Sequence, residues 1–286
     1  MFSLTSLGGE HVRMDLDERI EWQGREIACG RWGEGPAVVF CHGTPFSSVL
    51  WRPFADALSR DYTVHLWDMP GYGQSSKHAG QPVDFGVQAE AFAAVLDHWG
   101  LQRPHVIAHD FGGAVSIRAH TVGGRDFASL MLVDVVAIPP SGSPFFRFVQ
   151  SNPGLLDQLP DYIHRAIVRT YIENASLRGL SAQAVDELAT PWIGEDGQPA
   201  FYRQIVDYDE RYLEENEKRL PDVTIPVRVV WAAQDTWIPV ERAHRLQSLI
   251  PTSTLHIVPD SSHLVHHDAP VALMDQLRDW LDSQAR

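Results

Sequence analysis

Short apolar runs alternate with longer amphipathic segments along most of this chain, and that alternation predicts a parallel sheet covered by helices on both faces. The runs fall at residues 37–41, 63–67, 105–108, 129–133, 227–232 and 254–258, and each ends in polar or Gly-rich sequence. They read as continuous rather than alternating apolar stretches, as expected for strands buried on two sides. A hairpin-like stretch over residues 11–32 precedes them.

Helical spacing is clearest in two places. Over residues 87–99, Phe92, Val95, Leu96 and Trp99 form one stripe, and Gly100 supplies a stop. After Asp268, read as an N-cap with Pro270 in the first turn, Val271, Met274, Leu277 and Leu281 recur at intervals of three and four. Between residues 137 and 222 the strand–helix alternation stops. That segment is helix-like, aromatic-rich and punctuated by prolines, among them Pro139, Pro140, Pro153, Pro160, Pro191 and Pro199. It reads as a helical cap inserted into a core made of residues 1–136 and 223–286.

With 286 residues, 44% hydrophobic and 21% charged, the chain can bury a sizeable core and fits a soluble enzyme. A net charge of −14 with scattered basic residues argues against nucleic acid or anionic membranes as partners. Residues 1–9 lack the basic flank and apolar run of a secretion signal, and no segment approaches the length of a membrane span, so a cytoplasmic location is expected. Cys29 and Cys41, both in apolar runs, read as buried reduced thiols, and neither number nor spacing suggests a metal site.

The chemistry concentrates at the ends of the predicted strands. His105-Val106-Ile107-Ala108-His109-Asp110-Phe111-Gly112-Gly113 reads as strand, sharp turn, helix, with small residues two positions either side of Asp110. Such a turn lifts one side chain above the sheet edge as a nucleophile. A carboxylate attacking a carbonyl gives an anhydride and gains little. Attack on an sp³ carbon bearing a halide or a strained oxygen gives a stable alkyl ester, which water then cleaves. The competing reading is that Asp110 merely caps the following helix.

Ester cleavage needs a base, and His263 follows the last strand in Pro259-Asp260-Ser261-Ser262-His263. His266 and His267 read as surface residues at the start of the last helix. Asp235, after the strand ending in Val230-Trp231-Ala232, is the preferred acid to orient the imidazole, and Asp134, ending the strand Leu132-Val133, is the alternative. In His42-Gly43-Thr44-Pro45 the Thr44 N–H is expected to join that of Phe111 in an oxyanion hole.

Together these segments resemble the Asp-nucleophile branch of the α/β-hydrolase superfamily, which holds haloalkane dehalogenases, epoxide hydrolases and haloacetate dehalogenases. The resemblance rests on His42-Gly43-Thr44-Pro45-Phe46, His109-Asp110-Phe111-Gly112 and Asp68-Met69-Pro70-Gly71-Tyr72-Gly73. It implies an α/β-hydrolase fold with an inserted helical cap, needing no metal or organic cofactor and acting on a small molecule and water. Haloalkane dehalogenases hold the halide with Asn and Trp N–H donors, where this chain has Thr44 and Phe111, although Trp192 or another cap residue is available to compensate. Haloacetate dehalogenases place Arg where Phe111 stands.

Epoxide hydrolases polarise the ring oxygen with cap tyrosines, one in a Tyr-Arg pair like Phe201-Tyr202-Arg203-Gln204. Tyr202 is therefore the expected acid, with Tyr162 or Tyr171 as its partner, and Phe111, Phe145, Phe148 and Trp192 as pocket lining. Tyr208 and Tyr212 read as packing residues. The favoured activity is opening of an epoxide on a mostly apolar molecule. Dehalogenation, or a lyase or biosynthetic ring-opening reaction on the same scaffold, stays open, as does the oligomeric state.

Overall fold

The computed structural model describes residues 14–284, so the stretch read for a secretion signal, and part of the opening hairpin region, lie outside the described residues. Eight strands form one sheet in the order β1-β2-β4-β3-β5-β6-β7-β8. β1 (Glu18–Trp22) and β2 (Arg25–Trp32) make an antiparallel hairpin, closed by Gln23 and Gly24, both at positive φ as a tight two-residue turn demands. β2 also pairs antiparallel with β4 (Thr63–Trp67). The remaining strands, β3 (Ala37–Cys41), β5 (His105–Asp110), β6 (Ser129–Val135), β7 (Val227–Ala232) and β8 (Ser253–Val258), run parallel.

Continuous apolar runs are needed because alternate residues feed two separate cores. Val39 and Cys41 pack on one face with α2 (Phe85–His98), α3 (Phe111–Thr121) and α9 (Glu241–Leu249). Val38 and Phe40 pack on the other with α1 (Arg52–Leu58) and α11 (Pro270–Gln284). The elements α4 (Pro144–Ser151), α5 (Asp161–Glu173), α6 (Ala182–Ala189), α7 (Gly194–Val206) and α8 (Arg211–Glu217) all lie between β6 and β7, and α10 (Val265–Asp268) precedes α11.

Several boundaries differ from those read in the sequence. β5 and β6 each run two residues past the apolar segment, because backbone pairing continues through His109, Asp110 and Val135 whatever the side chains are, with the register shifting past Asp134. In α11 the buried stripe is Leu273, Leu277, Trp280 and Leu281, and Val271 is 61% exposed. Asp268 ends α10 and gives its carboxylate to Ser176 Oγ and to the N–H groups of Leu177, Arg178 and Ser262, tying the α5–α6 connection to the His263 loop. No helix among the described residues is long and apolar enough to cross a membrane.

Candidate active site

The turn between β5 and α3 is built by crowding. Asp110 sits at φ 49°, ψ −120°, a conformation that costs about 1–3 kcal/mol for a residue with a Cβ and persists only when its surroundings impose it. Its surroundings leave no slack. A Cβ on Gly112 would lie 2.5 Å from the Cys41 carbonyl oxygen, and one on Gly43 would lie 2.3 Å from Asp110 Cβ. The β3 loop is thereby drawn close enough for Thr44 N–H to donate to Asp110 Oδ1 at 2.7 Å. Asp110 makes no side-chain capping bond to α3, so its carboxylate is not spent on the helix terminus.

His263 lies on the loop after β8, with Nε2 3.5 Å from Asp110 Oδ2 and Nδ1 2.9 Å from Asp235 Oδ2. Asp235 is fixed in turn by the N–H groups of Trp237 and Ile238, which donate to its Oδ1 at 2.7 and 2.9 Å. The indole of Trp237 stacks on the imidazole, with centroids 4.7 Å apart. Burial alone would pull the His263 imidazole down. The carboxylates of Asp235 and Asp110 outweigh that and hold it up at about 10, which favours the imidazolium between two carboxylates.

Asp134 is not within ion-pair distance of His263, and its Oδ1 accepts from Ala232 N–H at 2.7 Å. His266, read in the sequence as a surface residue, is buried, with its ring 4.3 Å from Trp51 and 4.7 Å from His109. It stands on the inner face of α10, a four-residue helix that sequence periodicity is too short to phase. Away from this site, Glu18, Cys29 and His98 bring metal-type side chains together, but His98 is engaged with Glu18 at 3.0 Å and burial pushes the Cys29 thiol up to about 12.

A cavity of about 470 Å³ opens over Asp110. Thr44, Phe111, Phe145, Phe146, Tyr171, Asn174, Tyr208 and Trp237 are among its lining residues. The Tyr171 ring packs 4.5 Å from Trp237 and 5.4 Å from Phe145. The Tyr208 ring stacks on Phe111 at 5.8 Å, and its buried hydroxyl has no hydrogen bond of ordinary geometry. Burial raises both phenols, Tyr171 well above the usual range and Tyr208 to about 12, and the negative charge of Asp110 adds to each shift. Both are therefore neutral phenols, and they line the cavity that holds the same carboxylate. The Trp237 Nε1–H donates to Asn174 Oδ1 at 3.3 Å.

Other residues expected in this pocket are elsewhere. Tyr202 points into the cap interior, where its hydroxyl meets His164 Nδ1 at 3.0 Å. His164 Nε2 is 2.8 Å from the Trp192 carbonyl oxygen, and the Trp192 indole N–H donates to the Pro45 carbonyl. Tyr162 is 71% and Phe148 51% exposed. From the segment Phe201-Tyr202-Arg203-Gln204 it is Gln204 that reaches the core, accepting from Thr44 Oγ1 at 2.6 Å. Helical phase separates the two α5 tyrosines. The buried positions of that helix are His164, Val168 and Ile172, so Tyr171 flanks the buried stripe and Tyr162 lies across from it. Tyr208 follows α7 in a connection, held by Gln150 Nε2 donating to its carbonyl oxygen, and no periodicity announces it.

Comparison with known proteins agrees with this architecture. The chain is 27% identical over 258 residues to the N-formylmaleamate deformylase of Pseudomonas putida, a match covering 87% of this chain and 90% of that one. It is 43% identical, with a TM-score of 0.91, to a crystal structure of an alpha/beta hydrolase fold protein from Burkholderia ambifaria, covering 94% and 99% of the two chains. A haloalkane dehalogenase from Agrobacterium tumefaciens superposes with a TM-score of 0.80 at 19% identity over 93% of this chain and 96% of that one, a likeness of fold. The sequence pattern of the alpha/beta hydrolase family matches residues 38–276. With the eight-stranded sheet and its covering helices, that match makes this chain a member of the alpha/beta hydrolase family and a hydrolase of that fold.

Proposed function

We propose that this hydrolase opens an epoxide of a mostly apolar small molecule through a covalent alkyl ester on Asp110. The observation that carries the reading is that two neutral phenols, Tyr171 and Tyr208, line the same cavity as the Asp110 carboxylate. Two phenolic donors suit a strained oxygen that must leave as an alcohol. The apolar rings of Phe111, Phe145 and Phe146 suit an apolar body.

In the first step Asp110 Oδ2 attacks a ring carbon, the carbon–oxygen bond breaks towards oxygen, and a phenol supplies the proton, leaving a phenolate. In the second, water attacks the ester carbonyl with His263 taking its proton, the acyl–oxygen bond breaks, and the diol departs. Between the two steps the imidazolium proton of His263 returns to the phenolate, and in the second step one proton of the water stays on His263 while the other leaves with the diol, so the enzyme returns to its starting state. Thr44 N–H, which already donates to Asp110 Oδ1, is placed to hold the oxyanion of that second step.

The charge state of His263 fits this order. Esterification makes Asp110 neutral, removes one of the two charges that keep the imidazole protonated, and lets it act as a base after the first step rather than before it. An acyl-enzyme route, suggested by a relative named as a deformylase, is disfavoured because Asp110 attacking a carbonyl would form an anhydride.

A second reading is dehalogenation. Its support is that Trp237 and Asn174, both bearing N–H donors, line the cavity too. The test incubates His263→Ala protein with paired terminal epoxides and alkyl bromides of equal chain length, then measures intact mass. A mass gain equal to the whole epoxide, together with diol from the wild-type protein, supports the proposal. Halide release with no diol would replace it with the second reading. No adduct from either series would remove the Asp110 nucleophile.

A further inference from the structure

A second carboxyl group stands behind the Asp235–His263 pair, and its surroundings constrain its charge. The β5–β6 register pairs His109 with Val133 and Asp110 with Val135, so Asp134 is an extra residue bulged out of the ladder, at φ 44°. The bulge turns its side chain towards β7. There Oδ1 accepts from Ala232 N–H, and Oδ2, fully buried, has no N–H or hydroxyl donor among the described residues. Its side-chain hydrogen-bonding neighbour is the carboxyl of Asp235. Asp235 already accepts from Trp237 N–H, Ile238 N–H and His263 Nδ1, which leaves one of a carboxylate's roughly four acceptor sites unused.

Two carboxyl groups in contact, one with an unfilled acceptor site and one with an unmatched oxygen, are satisfied together by a single proton between them. We propose that Asp134 is a neutral carboxylic acid that donates its proton to Asp235 and thereby positions the acid that holds His263. The proposal rests on reading Asp235 and His263 as an acid–base pair. It makes Asp134 a positioning residue, acting on His263 only through Asp235. The donated hydrogen bond fixes the orientation of the Asp235 carboxylate and so of the imidazole whose Nδ1 it holds.

The electrostatics agree: burial first, and then the charge of Asp235, push the Asp134 carboxyl far above the ordinary carboxylate range, with His263 as the only titratable group pulling it back. The titratable groups facing His263 are Asp235, Asp110, His109 and His266.

Two measurements test this. Infrared difference spectra of the intact wild-type protein against Asp134→Asn at pH 8, with ¹³C-aspartate to assign the band, report the proton directly and need no substrate. A carbonyl band of an un-ionised carboxylic acid, present in wild type and lost in Asp134→Asn, is the expected result. Its absence from wild type overturns the proposal. The second is the pH dependence of kcat. Asn keeps an N–H donor towards Asp235, so Asp134→Asn is expected to recover to within about threefold the kcat that Asp134→Ala loses by tenfold or more, with KM unchanged.

The acid limb is expected to stay in place for Asp134→Asn and to move upward for Asp134→Ala, because Asp235 without its donor holds the imidazolium more tightly. A downward move in Asp134→Asn would mean that a negative charge had been removed, and would overturn the neutral assignment. If Asp134→Ala does not fold, the infrared band and the direction of the Asp134→Asn shift decide the matter. Turnover of no substrate by wild type would count against the proposed function, and the infrared result would still read Asp134.

Discussion

The two sides of the Asp110 cavity are held in different ways. On the core side every group to which a chemical role is proposed is fixed by directional bonds at a strand end: Asp110 by a strained turn and Thr44 N–H, Asp235 by two backbone N–H groups, and His263 by Asp235. On the cap side Tyr171 and Tyr208 are held by ring packing, and the Tyr208 hydroxyl has no hydrogen bond of ordinary geometry. The difference separates two jobs. Directional bonds fix a reaction to tenths of an ångström, whereas packed rings shape a volume and can be exchanged without disturbing the strand ends.

The comparison breaks first if the core side is dispensable. Asp110→Ala is expected to lose about 10⁴-fold or more in turnover, as removal of a nucleophile does, and an active Asp110→Ala protein would end the covalent mechanism. His263→Ala is expected to lose about 10²–10⁴-fold while a covalent adduct accumulates, read as a mass increase that is absent from wild type.

Cap changes should be smaller and should depend on the substrate. Tyr171→Phe and Tyr208→Phe are each expected to lower kcat for an epoxide by about 10–100-fold. Tyr202→Phe is expected to keep activity within about twofold and to cost only about 1 kcal/mol in chemical denaturation, from the lost bond to His164. A larger kinetic effect for Tyr202→Phe than for Tyr171→Phe would reverse the assignment of the cap acids.

A separate effect is expected on stability against pH. The His263 imidazole is raised in the folded protein, so the folded state binds more protons than the unfolded one between the ordinary histidine value near 6.5 and about 10. Its contribution is complete below that window and is lost as pH rises through it. The denaturation midpoint of wild type is therefore expected to fall across that range, and that of His263→Gln to fall less.

Legibility in the sequence follows the same division. That Asp110, His263, Asp235 and Thr44 come together is legible because each terminates an apolar run or follows one within a few residues, and parallel strands bring such termini to one sheet edge. The cap gave no comparable marker. Tyr202 sits in the most suggestive local sequence yet faces His164, while Tyr171 and Tyr208 reach the cavity from a helix flank and a connection. His266 was misread because α10 is a single turn, too short for periodicity to tell its buried face from its exposed one.

By itself the sequence determined the strand-and-helix order, the strained turn at Asp110 and the choice of carboxylate over hydroxyl as the raised group. These are local properties, written in apolar runs, in small residues at Gly43 and Gly112, and in the identity of one side chain. Only the tertiary structure decided which acid meets His263, and which phenols share a cavity with Asp110. Those pairings join residues from separate strands and from helices inserted between them, and their distances depend on how the faces pack rather than on any spacing along the chain.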